Sequence, residues 1–583
     1  MKTQSNTLLS RSVLFALSLS IPTMVSAEQV KLIATPKGAV FSTDMVQQKR
    51  SGSLEADIQP QKYTVDASEA EATIDELMAT GEYISVEYDA PIAPPGFMVP
   101  LQFNASIESA ESTVSEQSRE FDGSVPNDPL FYIQYNWEDR SESTPTGMGF
   151  TRAWNLVESK ERVVMAFVDG GYGAEGYSAD FTPIESVSTI YLDNVERNGV
   201  ILNSRPGDSA YSTDEEMSCE KSHGLGVAGI ATANTNNDNQ IAGIADNAYV
   251  DTIVIQATLC DTGLMSEMAN GIRLAAGGTV EGIEPLSTKA DIINVSLSSP
   301  VACSTYVQSA IDFAISQGSA VVVAAGNSNA PASDYSPANC EGVITVGGGT
   351  DIDTDLVSYS NYGSMLDIVA RADSLVSLTV NDESSDSATY GAGMWSGTSF
   401  ASPQVAATLA MAKTTSPSMS YDDMLSLLQL TATPMSGDKC TSVGCDEGLM
   451  NAGRFMLAVL GIENGDAGVI TSSLGEGELC NPELYTMIDA VKARLCESTT
   501  VTLSNFVAPE HEDVTVRFMA SPALETLTAN NGQILYEGEE LTFPISDIEL
   551  EDVSYGYQLC HSGECEETIF PVKVDTEALA LCD

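Results

Sequence analysis

The sequence predicts an α/β protein: a parallel sheet with helices on both faces, preceded by a small α+β unit and followed by a small β-sandwich. Three observations lead there. Within residues 126–461, apolar runs at 163–168, 321–324 and 343–346 alternate with helical patterns at 405–411 and 421–430, as in a buried parallel sheet covered on both sides. Two of those runs end in a polar residue beside glycine, Asp169-Gly170 and Gly326-Asn327, where open α/β sheets place their sites. Beyond Gly461 the pattern changes to short strands and turns, among them 501–504, 514–518 and 568–574, which reads as a sandwich.

The 583 residues leave room for several domains. Lys2 and Arg11 precede the apolar stretch 12–21 and Val25-Ser26-Ala27 follows it, which reads as a secretory signal, residues 1–27, cut after Ala27. A transmembrane anchor is the alternative, but the stretch is short for a span and no other run reaches ~18 apolar residues. The mature protein is therefore expected to be secreted, extracellular and without a membrane partner. Residues 28–125 hold strand-like pieces such as 83–88, a helical 69–79, a proline-rich 90–95 and a polar linker at 106–123. A central domain, 126–461, opens on Pro126-Asn127-Asp128-Pro129, and 467–583 form the sandwich, with 555–574 as its final hairpin.

Charge and cysteines narrow the function. A net charge of −57, from 82 acidic and 25 basic residues, repels nucleic acid and anionic membranes. The acids are spread along the whole chain, which reads as a solvated surface rather than selection of cationic substrates. Eleven cysteines fit an oxidising compartment, and the first is Cys219, so residues 28–125 carry no covalent staple.

The chemistry lies in three glycine-framed polar residues: Asp169, His223 in His223-Gly224-Leu225-Gly226, and Ser399 in Gly397-Thr398-Ser399. A serine hydroxyl is a weak nucleophile until a histidine takes its proton and a carboxylate holds that imidazole. Only 3 His exist, and His511 and His561 lie beyond the central domain, so His223 is the one candidate base there. Ser399 precedes Pro403 and a helical run, placing it near a helix N-terminus, which favours developing negative charge. Asn327, at the end of a strand, is a candidate donor to an oxyanion. No Gly-x-Ser-x-Gly elbow surrounds Ser399, which counts against a lipase or esterase.

The order Asp, His, Ser in these contexts resembles the subtilisin-like serine proteases across roughly residues 126–461. The resemblance implies a serine endopeptidase with Asp169 as orienter, His223 as general base and acid, Ser399 as nucleophile and Asn327 as oxyanion donor. It implies a substrate-binding strand carrying Ser296, Leu297 and Ser298, and a second edge at Asp261, Thr262 and Gly263, between which an extended polypeptide would add a strand. It implies a structural Ca2+, as in thermitase-type members, held by Asp128, Asp180, Asn234, Asn237, Asn239 and Ile241, a mixture of carboxylate, amide and backbone oxygens that suits calcium. An asparagine-rich turn without metal is the alternative. Residues 28–125 are placed like a propeptide that assists folding and blocks the cleft, with a permanent accessory domain as the other reading. Similar secreted enzymes pair Cys219 with Cys260, Cys303 with Cys340 and Cys440 with Cys445; Cys560 and Cys565 flank a hairpin tip. The C-terminal sandwich resembles immunoglobulin or cadherin-like modules, and the enzyme is expected to be a monomer. The chain departs from the family pattern at Gly170 (usually Ser or Thr), Leu225-Gly226 (usually Thr-His) and Ser298-Ser299 (usually a glycine pair). A catalytically silent binding protein on the same fold is the rival reading.

Overall fold

A computed structural model describes residues 29–37, 60–94, 97–99, 126–134, 137, 147–173, 180–213, 216, 222–351, 354–380 and 390–463, with isolated gaps inside these ranges, and the strands between 503 and 573. Statements of absence below concern these residues. The export signal, the linker at 106–123, and Cys219, Cys480, Cys496 and Cys582 lie outside them.

Seven parallel strands form the central sheet: β5 (Val163–Gly170), β6 (Glu185–Ser188), β9 (Val250–Thr258), β10 (Ile292–Val295), β11 (Ala320–Ala324), β12 (Ile344–Gly349) and β13 (Ile368–Arg371), in the spatial order β13-β12-β11-β10-β5-β9-β6. Strand periodicity explains why both faces are covered. Along β5, Val163, Met165 and Phe167 enter one apolar cluster, which also takes Val227 and Ile230 of α2 (His223–Thr232) and Val405 and Leu409 of α5 (Thr398–Thr415). Val164, Ala166 and Val168 enter the opposite one, with Met268 and Ile272 of α3 (Met265–Ala275) and Val307 and Ile311 of α4 (Thr305–Ser316).

The N-terminal unit is a three-stranded antiparallel sheet, β2-β1-β3, from β1 (Gln29–Pro36), β2 (Gln61–Asp66) and β3 (Tyr83–Tyr88), with the helix α1 (Ala70–Ala79) joining β2 to β3. Two of its carboxylates cap helices of the central domain. Glu87 accepts the Thr305 N–H at 3.0 Å at the start of α4, and Asp89 accepts the Ser266 N–H at 2.9 Å at the start of α3. Both complement the positive helix end. β7 (Leu192–Arg197) and β8 (Val200–Ser204) form a hairpin. β16 (Leu503–Ser504), β17 (Val514–Arg517), β18 (Thr526–Ala529), β19 (Ile534–Leu535) and β20 (Glu540–Phe543) follow the central domain. The expected hairpin near the C-terminus is β21 (Val553–His561) against β22 (Glu564–Lys573), which places Cys560 directly opposite Cys565. Cys303 is bonded to Cys340 and Cys440 to Cys445, and Cys260 is also disulfide-bonded. No described helix is long and apolar enough to cross a membrane.

One element starts earlier than its sequence pattern suggests. The helix carrying Ser399 begins at Thr398 and runs through Pro403. Proline offers no N–H to the carbonyl four residues back. That orphan is the Ser399 carbonyl, and it accepts the Ser296 hydroxyl at 2.8 Å.

Candidate active site

The carboxyl end of β5 holds Asp169 and the first residue of α2 is His223, so a strand end and a helix start meet. His223 Nδ1 lies 2.8 Å from Asp169 Oδ1, which also accepts the Gly170 N–H at 2.7 Å. Asp169 is fully buried. Burial pushes its carboxyl up, while the imidazole and the Gly170 N–H pull it back down. With Nδ1 donating to a carboxylate, the neutral imidazole keeps its lone pair on Nε2, and Nε2 is buried with no hydrogen-bond partner among the described residues.

Ser399 sits in the first turn of α5. Its hydroxyl lies 3.5 Å from the Ser296 carbonyl, a long contact that leaves it weakly held. Asn327 follows β11 with its amide orientation fixed. Its oxygen accepts both the N–H and the hydroxyl of Thr398 at 2.9 Å each, and Thr398 Oγ1 in turn accepts the Gly326 N–H at 3.0 Å. The Asn327 NH2 group is therefore directed away from Thr398, and it is buried without a partner among the described residues. A second asparagine braces this loop. Asn361 donates from Nδ2 to the Ala325 carbonyl and from its backbone to the Gly326 carbonyl, both at 2.8 Å, while its Oδ1 accepts the N–H groups of Ser328 and Ala330.

An own-chain segment lies across the cleft. Ala93 and Ser298 exchange two backbone hydrogen bonds, at 3.1 and 3.2 Å, Ile92 N–H donates to the Gly263 carbonyl at 3.1 Å, and Met265 N–H donates to the Ala90 carbonyl at 2.9 Å. Further along, β4 (Phe97–Val99) pairs with β15 (Tyr390–Ser396), which leads into Ser399 and also pairs with β14 (Leu375–Val380). Of the residues expected to bind substrate, Ser298 and Gly263 contact this segment. Ser296 and Leu297 lie behind it, one bonded to the nucleophile's carbonyl and the other buried. Asp261 and Thr262 belong to a tight turn closed by Leu259 and Thr262, and Thr262 Oγ1 takes a bond from Arg197. Leu264, bridged to Pro91, takes their place on this edge, and nothing in its local sequence singles it out.

Two of the departures from the family pattern, Gly170 and Gly226, have steric causes. A Cβ on Gly170 would overlap Thr258, because β5 shifts register against β9 at that point. A Cβ on Gly226 would stand 2.7 Å from Cε2 of Trp395, whose indole packs edge-on to His223 with centroids 6.2 Å apart and lies 4.9 Å from the Phe400 ring. The indole occupies the space that a side chain on α2 would otherwise fill. Gly226→Ala is expected to displace it, lowering both the melting temperature and kcat at a cost of about 1–3 kcal/mol in stability. Adding Trp395→Leu should restore part of both, measured by calorimetry and peptide hydrolysis. Ser298, despite its Cβ, forms both backbone bonds to Ala93.

The expected calcium ligands cluster at one place. Asp128 accepts the N–H groups of Asn236 and Asn237; Asp180 accepts the Asn237 side-chain amide at 2.8 Å and the Ile241 N–H at 3.2 Å. Asn239 N–H donates to Asn237 Oδ1, and Asn234 N–H donates to the Asp180 carbonyl. Burial raises the Asp180 carboxyl to about 7, with the Asp128 charge adding to the rise. The two carboxylates accept amide and backbone N–H groups of this loop, and the raised Asp180 carboxyl beside the Asp128 charge is an arrangement that a hard divalent cation would relieve.

A seven-stranded parallel sheet with Asp, His and Ser in that chain order defines a subtilisin-like α/β protein. Residues 122–455 match the model of the subtilase family, and the chain belongs to that family. It is 36% identical over 344 residues to an extracellular protease of Xanthomonas campestris pv. campestris, covering 58% of this chain and 57% of that one. It is 28% identical over 373 residues to an extracellular basic protease of Dichelobacter nodosus, with the same two coverages of 58% and 57%. The chain thus spans a little over half the length of these relatives. A solved structure described as proteases from Pseudoalteromonas arctica PAMC 21717 aligns at 30% identity with a TM-score of 0.50, covering 57% of this chain and 99% of that one.

Sequence reasoning does not single out Thr398, Asn361, Trp395 or Phe400 as members of this site. Ser402 and Asn294, which are hydrogen-bonded behind Ser399, are a further pair of this kind. Position beside Ser399 was the only available signal, and only for Thr398 and Phe400.

Proposed function

We propose that this chain is the precursor of a secreted serine endopeptidase that cleaves extended polypeptides. The observation that carries the reading is the His223–Asp169 bond at 2.8 Å beside a cleft in which residues 90–93 already lie as a strand between Gly263 and Ser298. Ser399 Oγ attacks the scissile carbonyl while His223 Nε2 takes its proton, and Asp169 stabilises the imidazolium. Asn327 Nδ2 donates to the oxyanion, a contact that strengthens as charge develops. His223 returns the proton to the departing amine, and water repeats the sequence on the acyl-enzyme.

In this reading residues 1–27 direct export and residues 28–125 are a propeptide that inhibits by occupying the cleft. Residues 126–461 are the catalytic domain, and 467–583 are an accessory sandwich. The enzyme acts as a monomer, without nucleic acid or membrane. Asp128, Asp180, Asn237 and the backbone of Asn234, Asn239 and Ile241 would hold a structural calcium ion, which supplies positive charge to the two carboxylates and pins the chain start to the loop after α2. A chelator is then expected to lower the melting temperature by about 5–10 °C. Asp180→Asn should abolish that calcium dependence, as read by scanning calorimetry with and without added calcium.

The test of the function is casein hydrolysis by the secreted protein with and without phenylmethylsulfonyl fluoride. Hydrolysis that the reagent stops supports the reading. An inert protein that has nonetheless lost its N-terminal unit would make it a binding protein on a protease fold.

A further inference from the structure

We infer that Lys439 is a tethered cation that positions Asn327 for catalysis: its ammonium fills a cradle of three main-chain carbonyls, and removing it turns that cradle into a site for a free monovalent cation. The inference rests on the proposed endopeptidase activity and adds to it a positioning residue outside the cleft.

The cradle comes from the loop after β12. Lys439 Nζ donates to the carbonyls of Val357 at 2.7 Å and of Ser358 and Ser360 at 3.0 Å each. An ammonium has three N–H donors and no acceptor, so each donor has its own carbonyl. Carbonyl dipoles aimed at one point repel one another unless a positive charge lies between them, as in the carbonyl rings that hold potassium in channels. The lysine stands there against its local setting. It lies in the first turn of the short helix Asp438–Val443, where the helix dipole disfavours a cation. Asp355 anchors that turn by accepting the N–H groups of Lys439 at 3.1 Å and Cys440 at 2.8 Å, and the Cys440–Cys445 disulfide closes on the same helix.

One residue couples the cradle to the site. Ser360 is followed by Asn361, whose four hydrogen bonds reach Ala325, Gly326, Ser328 and Ala330, on both sides of Asn327. The Ser360 hydroxyl donates to the Asn361 carbonyl at 2.8 Å and accepts the Gly348 N–H at 2.9 Å, which ties the same turn to β12. Loss of the charge lets the three carbonyls spread and carries Asn361 with them. Asn327 Nδ2 then shifts from where an oxyanion forms, a contact made in the transition state. The edges at Gly263 and Ser298 take no part in this route.

The test uses the mature enzyme and a peptide p-nitroanilide. Lys439→Ala should lower kcat by about 10–100-fold with KM little changed. Potassium or ammonium chloride should restore most of the loss, whereas choline chloride at equal ionic strength should not, because choline is too large for the cradle. Potassium should also raise the melting temperature of this variant above its value in choline, and by more than it does for wild type. Lys439→Met, which fills the cradle without charge and keeps the packing of the stem, should show the kcat loss without rescue, and it carries the test if the alanine variant does not fold. In an Asn327→Ala background Lys439→Ala should cost no further kcat, since its effect runs through that amide. An undiminished kcat in the lysine variants, or an equal loss in the Asn327→Ala background, would overturn the positioning role. Rescue by choline as good as that by potassium would overturn the cradle. A wild type that hydrolyses neither the peptide nor casein would remove the endopeptidase reading beneath it, and the melting temperatures would still report on the cradle.

Discussion

Ser399→Ala is expected to eliminate casein hydrolysis and to leave the secreted protein uncut, with an N-terminus at Glu28. Nothing nearby can replace the hydroxyl: Ser402 donates to Asn294, and Ser296 donates to the Ser399 carbonyl. The scale is that measured when subtilisin loses its nucleophile, about 10^6-fold in kcat. Folding should be spared. The helix start is organised by Thr398 and by the Ser296 bond to the main chain of residue 399, which alanine keeps. Casein assay, N-terminal sequencing and melting temperature on one preparation separate the cases. An uncut, folded, inert variant supports the triad, whereas a variant that still loses its N-terminal unit shows that another protease makes the cut.

Asn327→Ala is expected to lower kcat by about 10^2–10^3-fold with KM little changed, the size measured for an oxyanion-hole donor of subtilisin. The geometry argues for a transition-state effect. The Asn327 oxygen is fully engaged by Thr398, so its NH2 group is what remains for a developing negative charge. A ground-state contact would instead raise KM. Because Asn327 Oδ1 also accepts two bonds from Thr398, the alanine variant orphans those donors and should lose some stability. Asn327→Asp keeps the acceptor and removes the donor. It is expected to fold better than the alanine variant and to be no more active. A KM rise at constant kcat in both variants would remove Asn327 from the oxyanion role.

The parallel sheet was legible because strand and helix periods alternate plainly from 163 to 430, and Asp169, His223, Ser399 and Asn327 stood out because each follows or opens an element next to glycine. What escaped notice acts across the fold. Asn361 reads as an ordinary turn residue, yet its four hydrogen bonds bracket the loop of Asn327. Trp395 and Gly226 are far apart in sequence, and neither is informative until the indole is seen filling the glycine's space. The early start of the helix at Thr398 was hidden by Pro403, because the compensating hydroxyl comes from Ser296, on a different element. Asp261 and Thr262 read as a substrate edge, but the short turn they form leaves main-chain pairing to Gly263 and Leu264.

The chain order of the cleft segment has a kinetic consequence. Under the proposed propeptide reading, a cut between residues 94 and 97 would release everything before it, while Phe97–Val99 would stay covalently joined through residues 100–125 to Asn127 and Asp128, which bond to the loop after α2. The first product is thus carried on its own enzyme like a leash, at an effective concentration in the millimolar range. The first event is unimolecular and its rate should not vary with dilution. If full turnover then needs a second cut that removes the leash, made by another molecule, the lag before casein is attacked should lengthen as the preparation is diluted.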